Sequence, residues 1–273
     1  MEIKNIVRNC TPPVLLKFVK KITGNHSAVP KKAYYCPVCD NSVAAFSPLP
    51  GIFDEMLDKY QYIHSVHCTE TINSRAYSCP YCYASDRERL YVLYLQERFE
   101  KLKNTGQTYR FLNIAPSQSA AFIKKQVFIR YRSADLYMEN VDDKVDITDM
   151  NIYEDNCFDM LLCSHVLEHI EEDRKAMSEL YRVLKPSGFG IIMVPINLEL
   201  KEDFENPAYK TEAERWKYFG QNDHVRLYSK SGFVNKLTKT GFKVNQYGID
   251  YFGEETFERN GIHPRSVLYV VEK

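Results

Sequence analysis

One segment, residues 158–196 (FDMLLCSHVLEHIEEDRKAMSELYRVLKPSGFGIIMVPI), limits the fold of this chain more than any other. Residues 158–163 and 189–194 are short apolar runs, which are typical of parallel strands covered on both faces. The apolar residues between them recur at helical spacing, which predicts a helix with this buried stripe: Val166, Ile170, Met177, Leu180, Tyr181 and Leu184. Residues 185–188 (KPSG) are expected to end that helix, with Gly188 free to adopt positive φ. The segment therefore predicts one strand–helix–strand unit.

Residues 159–188 resemble the class I S-adenosylmethionine (SAM) dependent methyltransferases in their fourth strand, the following helix and the Lys-Pro-Gly-Gly turn, although Ser187 stands where a Gly is usual. The similarity extends from about residue 110 to the C-terminus. It implies an α/β fold with a Rossmann-like seven-stranded sheet of order 3-2-1-4-5-7-6, the last strand antiparallel, and SAM across the carboxyl ends of the first strands. Doubly wound sheets bind ligands where the strand order reverses, which agrees with that position.

Four cysteines form the second informative pattern. Cys36-Pro-Val-Cys39 and Cys79-Pro-Tyr-Cys82 are two CxxC pairs separated by 39 residues. Two residues between thiolates let a tight turn direct both sulfurs at one ion, and two such knuckles complete a tetrahedral zinc site with no open position. Disulfides and a redox-active pair are the alternatives, and the intracellular context and the presence of two pairs argue against them. We predict a structural zinc ion on these cysteines, with Cys68 as an alternative ligand.

Ser85 and Glu88 form a capping box that predicts a helix through about residue 102, and residues 104–106 mark a boundary. A knuckle pair before this Ser-x-x-Glu-Arg helix also resembles a bacterial group of methyltransferases often linked to sugar and cell-surface glycan metabolism. We predict a basic amphipathic N-terminal segment (1–32), a zinc-ribbon-like knuckle domain with a connecting helix (33–105) and a methyltransferase domain (106–273) with a substrate-covering insertion (195–229), in which residues 211–214 cap a helix.

The charge balance gives no overall attraction to nucleic acid, because 36 basic residues match 36 acidic ones. No apolar run approaches the roughly 20 residues that a membrane-spanning helix needs, and the N-terminus lacks a signal-peptide core. We expect a cytoplasmic protein. Residues 12–22 are basic and amphipathic, and the alternatives for them are peripheral contact at the inner membrane surface and packing on the protein itself or on a sister subunit.

The loop expected to bind the cofactor departs from the usual pattern. Residues 110–115 predict the first strand, yet the following residues 115–121 (APSQSAA) contain none of the glycines that let the backbone approach a nucleotide cofactor. Ser117 or Ser119 is expected to cap the next helix, whose first amides are expected to bind the methionine carboxylate of SAM. The Ile-Ala-Pro sequence resembles the same bacterial group. A homologue that does not bind the cofactor is the alternative.

Residues after the next strands complete the predicted cofactor site. Asp135 follows a predicted strand at residues 128–134, at the position where a carboxylate binds ribose hydroxyls. The methyltransferase resemblance implies that Asp146 contacts the adenine amino group, that Ile147 contacts its ring, and that Ser164 and His165 form the pocket floor. The predicted cofactor-binding residues are Ala115, Pro116, Ser117, Asp135, Leu136, Asp146, Ile147, Ser164 and His165.

Residues 220–226 (GQNDHVR) resemble a Gly-Gln-x-Asp-His-Val-Arg segment of the bacterial group. Methylation of a hydroxyl needs a base, because the oxygen must lose its proton as it attacks the methyl group. We predict His224 as that base and Asp223 as the residue that orients it. Arg226 and Gln221 are the predicted substrate-binding residues. A structural His–Asp pair that braces the insertion is the alternative.

Residues 165–169 (HVLEH) also match the inverted zinc-protease pattern HxxEH. They begin at a strand end and lack an evident third ligand, so we predict that His169 packs or hydrogen-bonds instead. The sequence therefore predicts a SAM-dependent methyltransferase that modifies an oxygen of a sugar or another small metabolite. An RNA methyltransferase with a zinc module and a non-catalytic zinc-bearing interaction protein are the alternatives.

Overall fold

The computed structural model describes residues 33–273. The predicted N-terminal amphipathic segment, residues 1–32, lies outside this part. The described chain opens with a hairpin of β1 (Tyr34–Cys36) and β2 (Asn41–Val43), followed by α1 (Gly51–Lys59), a 3-10 helix (Val66–Cys68) and α2 (Asp86–Leu102). Within residues 33–273, no helix is both long and apolar enough to cross a membrane.

A seven-stranded sheet follows these elements. Its strands are β3 (Tyr109–Ile114), β4 (Ile129–Asp135), β5 (Asp143–Lys144), β6 (Phe158–Ser164), β7 (Leu184–Met193), β10 (Lys243–Tyr247) and β11 (Leu268–Glu272), while β8 (Phe204–Glu205) and β9 (Arg226–Leu227) form a separate ribbon. The remaining helices are α3 (Ala120–Lys124), a 3-10 helix (Leu167–His169), α4 (Asp173–Val183), α5 (Glu212–Phe219), α6 (Lys230–Thr240), α7 (Ile249–Phe252) and α8 (Glu254–Arg259). Both predicted capping boxes are present, at the starts of α2 and α5.

The order across this sheet is β5-β4-β3-β6-β7-β11-β10. Counted along the chain within the sheet, this is 3-2-1-4-5-7-6, so the predicted order is confirmed. Strand β11 is antiparallel to both β7 and β10, whereas the other neighbouring strands pair in parallel. The predicted α/β, Rossmann-like fold is therefore confirmed.

The helix ends at Val183, just before residues 185–188, as predicted, but these residues do not form a turn. Strand β7 already begins at Leu184, and a register shift opposite Phe158 absorbs the extra residues. Gly188 is not among the residues with positive φ. A Cβ at this position would lie 2.7 Å from the backbone oxygen of Asp159, so close approach of two strands explains the glycine. The preceding helix is also shorter than predicted, because α4 begins only at Asp173.

The N-terminal part and the sheet share one hydrophobic core, which includes Leu95 of α2 and Leu112 of β3. Arg89 lies at their junction and is fully buried. Its guanidinium donates hydrogen bonds to backbone oxygens on both sides of the predicted boundary, those of Ala76, Tyr77, Ala84, Asn260 and Gly261. The division at residue 105 stays a prediction, since the packing runs across it.

The insertion at residues 195–229 packs on the N-terminal part. Trp216 of α5 is buried and stacks on Tyr60, with ring centroids 5.8 Å apart and ring planes at 4°. The amide of Ile63 donates to the backbone oxygen of Lys217 at 3.1 Å. These contacts hold helix α5, which directly precedes residues 220–226, against the N-terminal part.

Candidate functional site

The candidate site lies at the carboxyl ends of β3 and β6. These strands are parallel neighbours, with Ile114 opposite Cys163. They are also the pair at which the strand order reverses, which is where doubly wound sheets bind ligands. The residues that follow them, Ala115 and His165, have positive φ values of 48° and 57°. Left-handed backbone at a residue other than glycine is uncommon and is concentrated at functional sites.

The glycine-free loop therefore turns through Ala115. Its amide donates to the backbone oxygen of Ala134 at 2.9 Å, and this bond holds the start of the loop on the sheet. Pro116 is partly exposed and Ser117 is exposed beyond it. The left-handed conformation that a glycine would adopt easily is thus present at an alanine. The loop keeps a tight turn without the glycines that the sequence lacks.

The predicted capping of the next helix by Ser117 or Ser119 is wrong. Ser119 precedes α3, but its side chain does not cap the helix. Its hydroxyl is instead 3.0 Å from the Tyr91 hydroxyl, and its amide donates to Glu88 Oε1 at 3.0 Å. Ser117 Oγ donates to the same carboxylate oxygen at 2.6 Å. A protein carboxylate therefore already occupies one amide that was expected to bind the methionine carboxylate.

Glu88 has a second function that the sequence did not reveal. Its other oxygen accepts from the amide of Ser85, as a capping box requires. The capping pattern is local and can be recognised in a sequence, whereas the contacts with Ser117 and Ser119 join positions that are about thirty residues apart. The buried carboxylate thereby ties the first turn of α2 to the candidate cofactor loop.

Asp135 ends β4 and is half-buried. Only its Oδ1 atom is engaged with the following turn, where it accepts from the amides of Tyr137 and Met138 at 2.6 Å. The next side chain, Leu136, is 44% exposed, which gives the strand end an apolar surface beside a carboxylate. This pairing fits the polar ribose and the flat base of a nucleoside.

The two predicted adenine contacts lie in different surroundings. Asp146 is exposed, and its Oδ1 accepts from the amide and the hydroxyl of Thr148, both at 2.8 Å. Ile147 belongs to the hydrophobic core and is only 5% exposed. The contact of Ile147 with the adenine ring stays a prediction.

A cluster of histidines and acids lies beside the end of β6. The amide of Val225 donates to the backbone oxygen of Glu168 at 2.9 Å, which brings the insertion onto the 3-10 helix Leu167–His169. His169 Nδ1 lies 3.4 Å from Asp223 Oδ1, and its ring centroid is 4.7 Å from that of His224. Asp223 was expected to orient His224. In the structure Asp223 pairs with His169 instead. The backbone hydrogen bond from Val225 to Glu168 sets how the insertion and the 3-10 helix align, and this alignment places Asp223 beside His169.

Burial governs the pKa values in this cluster. It raises the pKa of Glu168 to about 7, and burial together with the charge of His169 lowers the pKa of His224 to about 3. Burial also holds the pKa of His165 well below its ordinary value. Burial alone would lower the pKa of His169, but the hydrogen bond with Asp223 and the charge of Glu168 raise it overall. His224 is therefore a neutral imidazole near neutral pH, and a weak base by itself.

Arg226 does not face an open site. It is 4% exposed, and its Nε donates to Glu205 Oε2 at 2.8 Å. The rest of the guanidinium donates to backbone oxygens of the 3-10 turn and the residues after it, those of Leu167, Ile170 and Glu171. This engagement corrects the expected contact with substrate: Arg226 fixes the turn that carries Glu168 and His169. Gln221 is partly exposed and stays a substrate-binding prediction.

The predicted zinc ligands converge. Cys36 Sγ and Cys82 Sγ are 3.7 Å apart, Cys39 Sγ and Cys79 Sγ are 3.8 Å apart, and all four sulfurs lie within 4.8 Å of one another. Tetrahedral zinc with bonds of about 2.3 Å requires sulfurs about 3.8 Å apart, so the donor set fits this ion. Cys68 is not part of the group and lies beside Glu199, whose hydrogen bond raises the pKa of the thiol.

A cavity of about 570 Å³ lies away from the carboxyl ends of the strands. Arg110, Arg130 and Phe158, which stand near the starts of β3, β4 and β6, are among the residues that line it. None of the predicted cofactor-binding residues lines this cavity. Its position does not coincide with the candidate site, which is defined by the strand ends and their polar side chains.

Residues 97–192 match the family model of a methyltransferase domain. The matched stretch contains β3, β4 and β6 and the residues that follow them, but not residues 220–226 of the insertion. The predicted bounds of the methyltransferase domain, 106–273, stay a prediction. A 100-residue segment is 31% identical to phosphoethanolamine N-methyltransferase 2 of Caenorhabditis elegans. That alignment covers 35% of this chain and only 22% of the relative.

Two solved structures are similar at low identity. A SAM-dependent methyltransferase from Archaeoglobus fulgidus is 16% identical with a TM-score of 0.44, over 70% of this chain and 96% of the other. Phosphoethanolamine N-methyltransferase 2 of Haemonchus contortus, in complex with SAM, is 15% identical with a TM-score of 0.42, over 66% and 52% of the two chains. The fold assignment rests on the strand order of the sheet.

Proposed function

We propose that this protein is a SAM-dependent methyltransferase that acts on an oxygen of a sugar or another small metabolite. The observation that carries the proposal is the methyltransferase-domain match at residues 97–192, which spans the strand ends of the candidate site. Balanced charge supports a small acceptor over RNA, because 36 basic and 36 acidic residues leave no net attraction to a polyanion.

The proposed cofactor site fits the chemistry of a nucleoside. Asp135 would accept hydrogen bonds from the ribose, with Leu136 against the base. Ser164 Oγ and His165 Nε2 are buried and have no hydrogen-bond partner among the described residues, so both can bind a polar ligand group at the end of β6. Ala115, Pro116 and Ser117 would flank the same ligand from β3. When bound, SAM would supply an electrophilic methyl group.

The chain must also remove a proton from the acceptor hydroxyl. His224 and Asp223 are the proposed groups, and in this geometry Asp223 acts through His169, whose ring neighbours that of His224. A histidine whose pKa is lowered to about 3 holds a proton poorly. Efficient transfer therefore needs a further group that stabilises the developing negative charge on the oxygen.

The four-cysteine cluster is proposed to hold one structural zinc ion. All of its ligands come from the protein, which leaves no position for a substrate. Its contribution would be to fix the two knuckles at residues 36–39 and 79–82, and through the latter the start of α2, whose Glu88 contacts the candidate cofactor loop.

A nitrogen acceptor is the second candidate, because the curated relative that is 31% identical over 100 residues is a phosphoethanolamine N-methyltransferase. A non-catalytic zinc-bearing protein is the third, and the occupied amide of Ser119 favours it. Incubation with SAM and separate panels of sugars, small amines and RNA distinguishes these functions. We expect S-adenosylhomocysteine and an acceptor heavier by one CH₂ unit only with the sugar panel. Turnover confined to the other panels, or none with any panel, would exclude the proposed acceptor class.

A further inference from the structure

We infer that Glu168, His169 and His224 form a second metal site, which binds a divalent transition-metal cation at the carboxyl edge of the sheet. Each residue offers one ligand atom, and the three atoms lie within 4.8 Å of one another. Two imidazole nitrogens and one carboxylate oxygen leave further coordination positions open, as in metal sites that bind an exchangeable ligand. A cation with bonds of about 2.1 Å would draw these atoms closer together.

The buried polar atoms of this cluster point to a missing partner. Glu168 is fully buried, and neither of its carboxylate oxygens has a hydrogen-bond partner among residues 33–273. His224 is 3% exposed, and its Nδ1 is also without a partner in the described part of the chain. Native proteins rarely leave such groups unsatisfied, and a carboxylate facing histidines is a suitable cation ligand.

The surroundings orient these groups as a metal would require. Asp223 lies 3.4 Å from His169 Nδ1, which leaves His169 Nε2 to face Glu168 Oε1 at 3.9 Å. A carboxylate on the far nitrogen of a metal-binding imidazole fixes its tautomer and makes it a better ligand. His165 Nδ1 is 3.4 Å from the same Glu168 oxygen and adds a polar wall on the side of β6.

The protein scaffold holds the three ligands from separate directions. Glu168 and His169 lie in the 3-10 helix after β6, and Arg226 fixes that turn through its backbone oxygens. His224 comes from the insertion, about 55 residues later, and the bond from Val225 to Glu168 holds it in place. His224 thus supplies a third ligand from outside residues 165–169, where the local sequence showed none.

The position suggests what the cation would do, and this part of the inference rests on the proposed function. An open metal site beside Ser164 and His165 would contact an acceptor hydroxyl close to the proposed cofactor. A divalent cation lowers the pKa of a bound hydroxyl and stabilises the alkoxide. In this arrangement the cation, and not the His224 nitrogen that it occupies, promotes loss of the hydroxyl proton.

Manganese binding tests the site directly. Zinc-replete protein without SAM or acceptor is titrated with Mn²⁺, and free Mn²⁺ is measured by electron paramagnetic resonance. Manganese favours oxygen ligands over soft thiolates, so it leaves the zinc-filled four-cysteine site alone. We expect one bound Mn²⁺ per chain, with affinity at least ~10-fold weaker in Glu168→Gln and His224→Ala and ~10–100-fold weaker in Asp223→Asn. His67→Ala, an exposed histidine outside the cluster, should bind like the wild type.

A second measurement, nuclear magnetic resonance of the histidine rings, uses only the wild-type protein and so does not depend on a variant that folds. In the wild type, bound Mn²⁺ should broaden the ring-proton resonances of its ligands His169 and His224 more strongly than those of His67 and His263. The inference is overturned if the wild type binds no Mn²⁺, or if the cluster variants bind it as well as His67→Ala does. Separate SAM titrations distinguish the two proposals, since Mn²⁺ binding without SAM binding would retain this site and remove the proposed function.

Discussion

The molecule contains two sets of candidate metal ligands, one that fills all four tetrahedral coordination positions and one that leaves positions open. The four cysteines supply a complete tetrahedral set, and their sulfurs pair at 3.7 and 3.8 Å. Glu168, His169 and His224 supply only three ligand atoms, spread within 4.8 Å, at the edge where ligands bind in this fold. A closed set can stabilise a structure but cannot bind a substrate. An incomplete set can do so. We therefore propose a structural role for the first region and a chemical role for the second.

Each of the two regions also contains a buried arginine whose guanidinium donates hydrogen bonds to backbone carbonyls. Arg89 joins the knuckle region to the C-terminal part of the chain, and Arg226 holds the turn that carries Glu168 and His169. Each guanidinium fixes several loop carbonyls at once, because its five donors lie in a rigid fork. Loops without regular hydrogen bonding are thereby held in one conformation.

The largest expected effect is on the closed site. Cys79→Ser should abolish stoichiometric zinc and unfold the knuckle region, because structural zinc contributes about 10–16 kcal/mol of coupled binding and folding free energy. Metal analysis and thermal unfolding of the zinc-purified protein measure both effects. Cys68→Ser is the control and should retain the metal. Full zinc content in Cys79→Ser would exclude Cys79 as a ligand.

The open site should respond in turnover instead of stability. His224→Ala should lower turnover by roughly 10²–10⁴-fold with little change in SAM affinity, and Asp223→Asn should lower it less, through loss of the His169 orientation. Steady-state kinetics with an identified acceptor, beside calorimetry with SAM, separate the two quantities. Equal losses of melting temperature and of both ligand affinities would instead support a structural His–Asp pair.

Loss of the buried Arg89 should have an intermediate effect on the free energy of unfolding. Arg89→Met should destabilise the protein by about 3–5 kcal/mol, because buried carbonyls lose their donors and nearby buried Asp86 loses a positive charge. Arg75→Met removes an exposed arginine and should change the free energy of unfolding little. Denaturant unfolding compares the two variants. Similar free energies in both would show that the buried fork adds nothing to the junction.

The sequence predicts the features that depend on neighbours along the chain. The strand order is what the resemblance to class I methyltransferases implies, and the caps at Ser85 and Thr211 follow from short local motifs. The pairing of Asp223 with His169 could not be predicted, because it joins segments about 54 residues apart.

The burial of Arg226 was missed for the same reason, since a sequence does not distinguish an arginine that binds substrate from one that binds a distant turn. The loop at Ala115 shows a different limit. Its left-handed backbone is imposed by the strands around it, although alanine has no intrinsic preference for that conformation. Long-range contacts, and not residue type, decide these positions.

Calorimetric titration of the wild type with SAM tests the central claim most directly, with Asp135→Ala and the exposed Asp149→Ala beside it. We predict that the wild type binds SAM and that Asp149→Ala matches it. Asp135→Ala should lose about 1.5–3 kcal/mol of binding free energy, a tenfold or greater loss of affinity, because the ribose hydroxyls lose a charged acceptor. No binding by the wild type at millimolar SAM would contradict the enzyme assignment, and equal binding by all three proteins would remove Asp135 from the site.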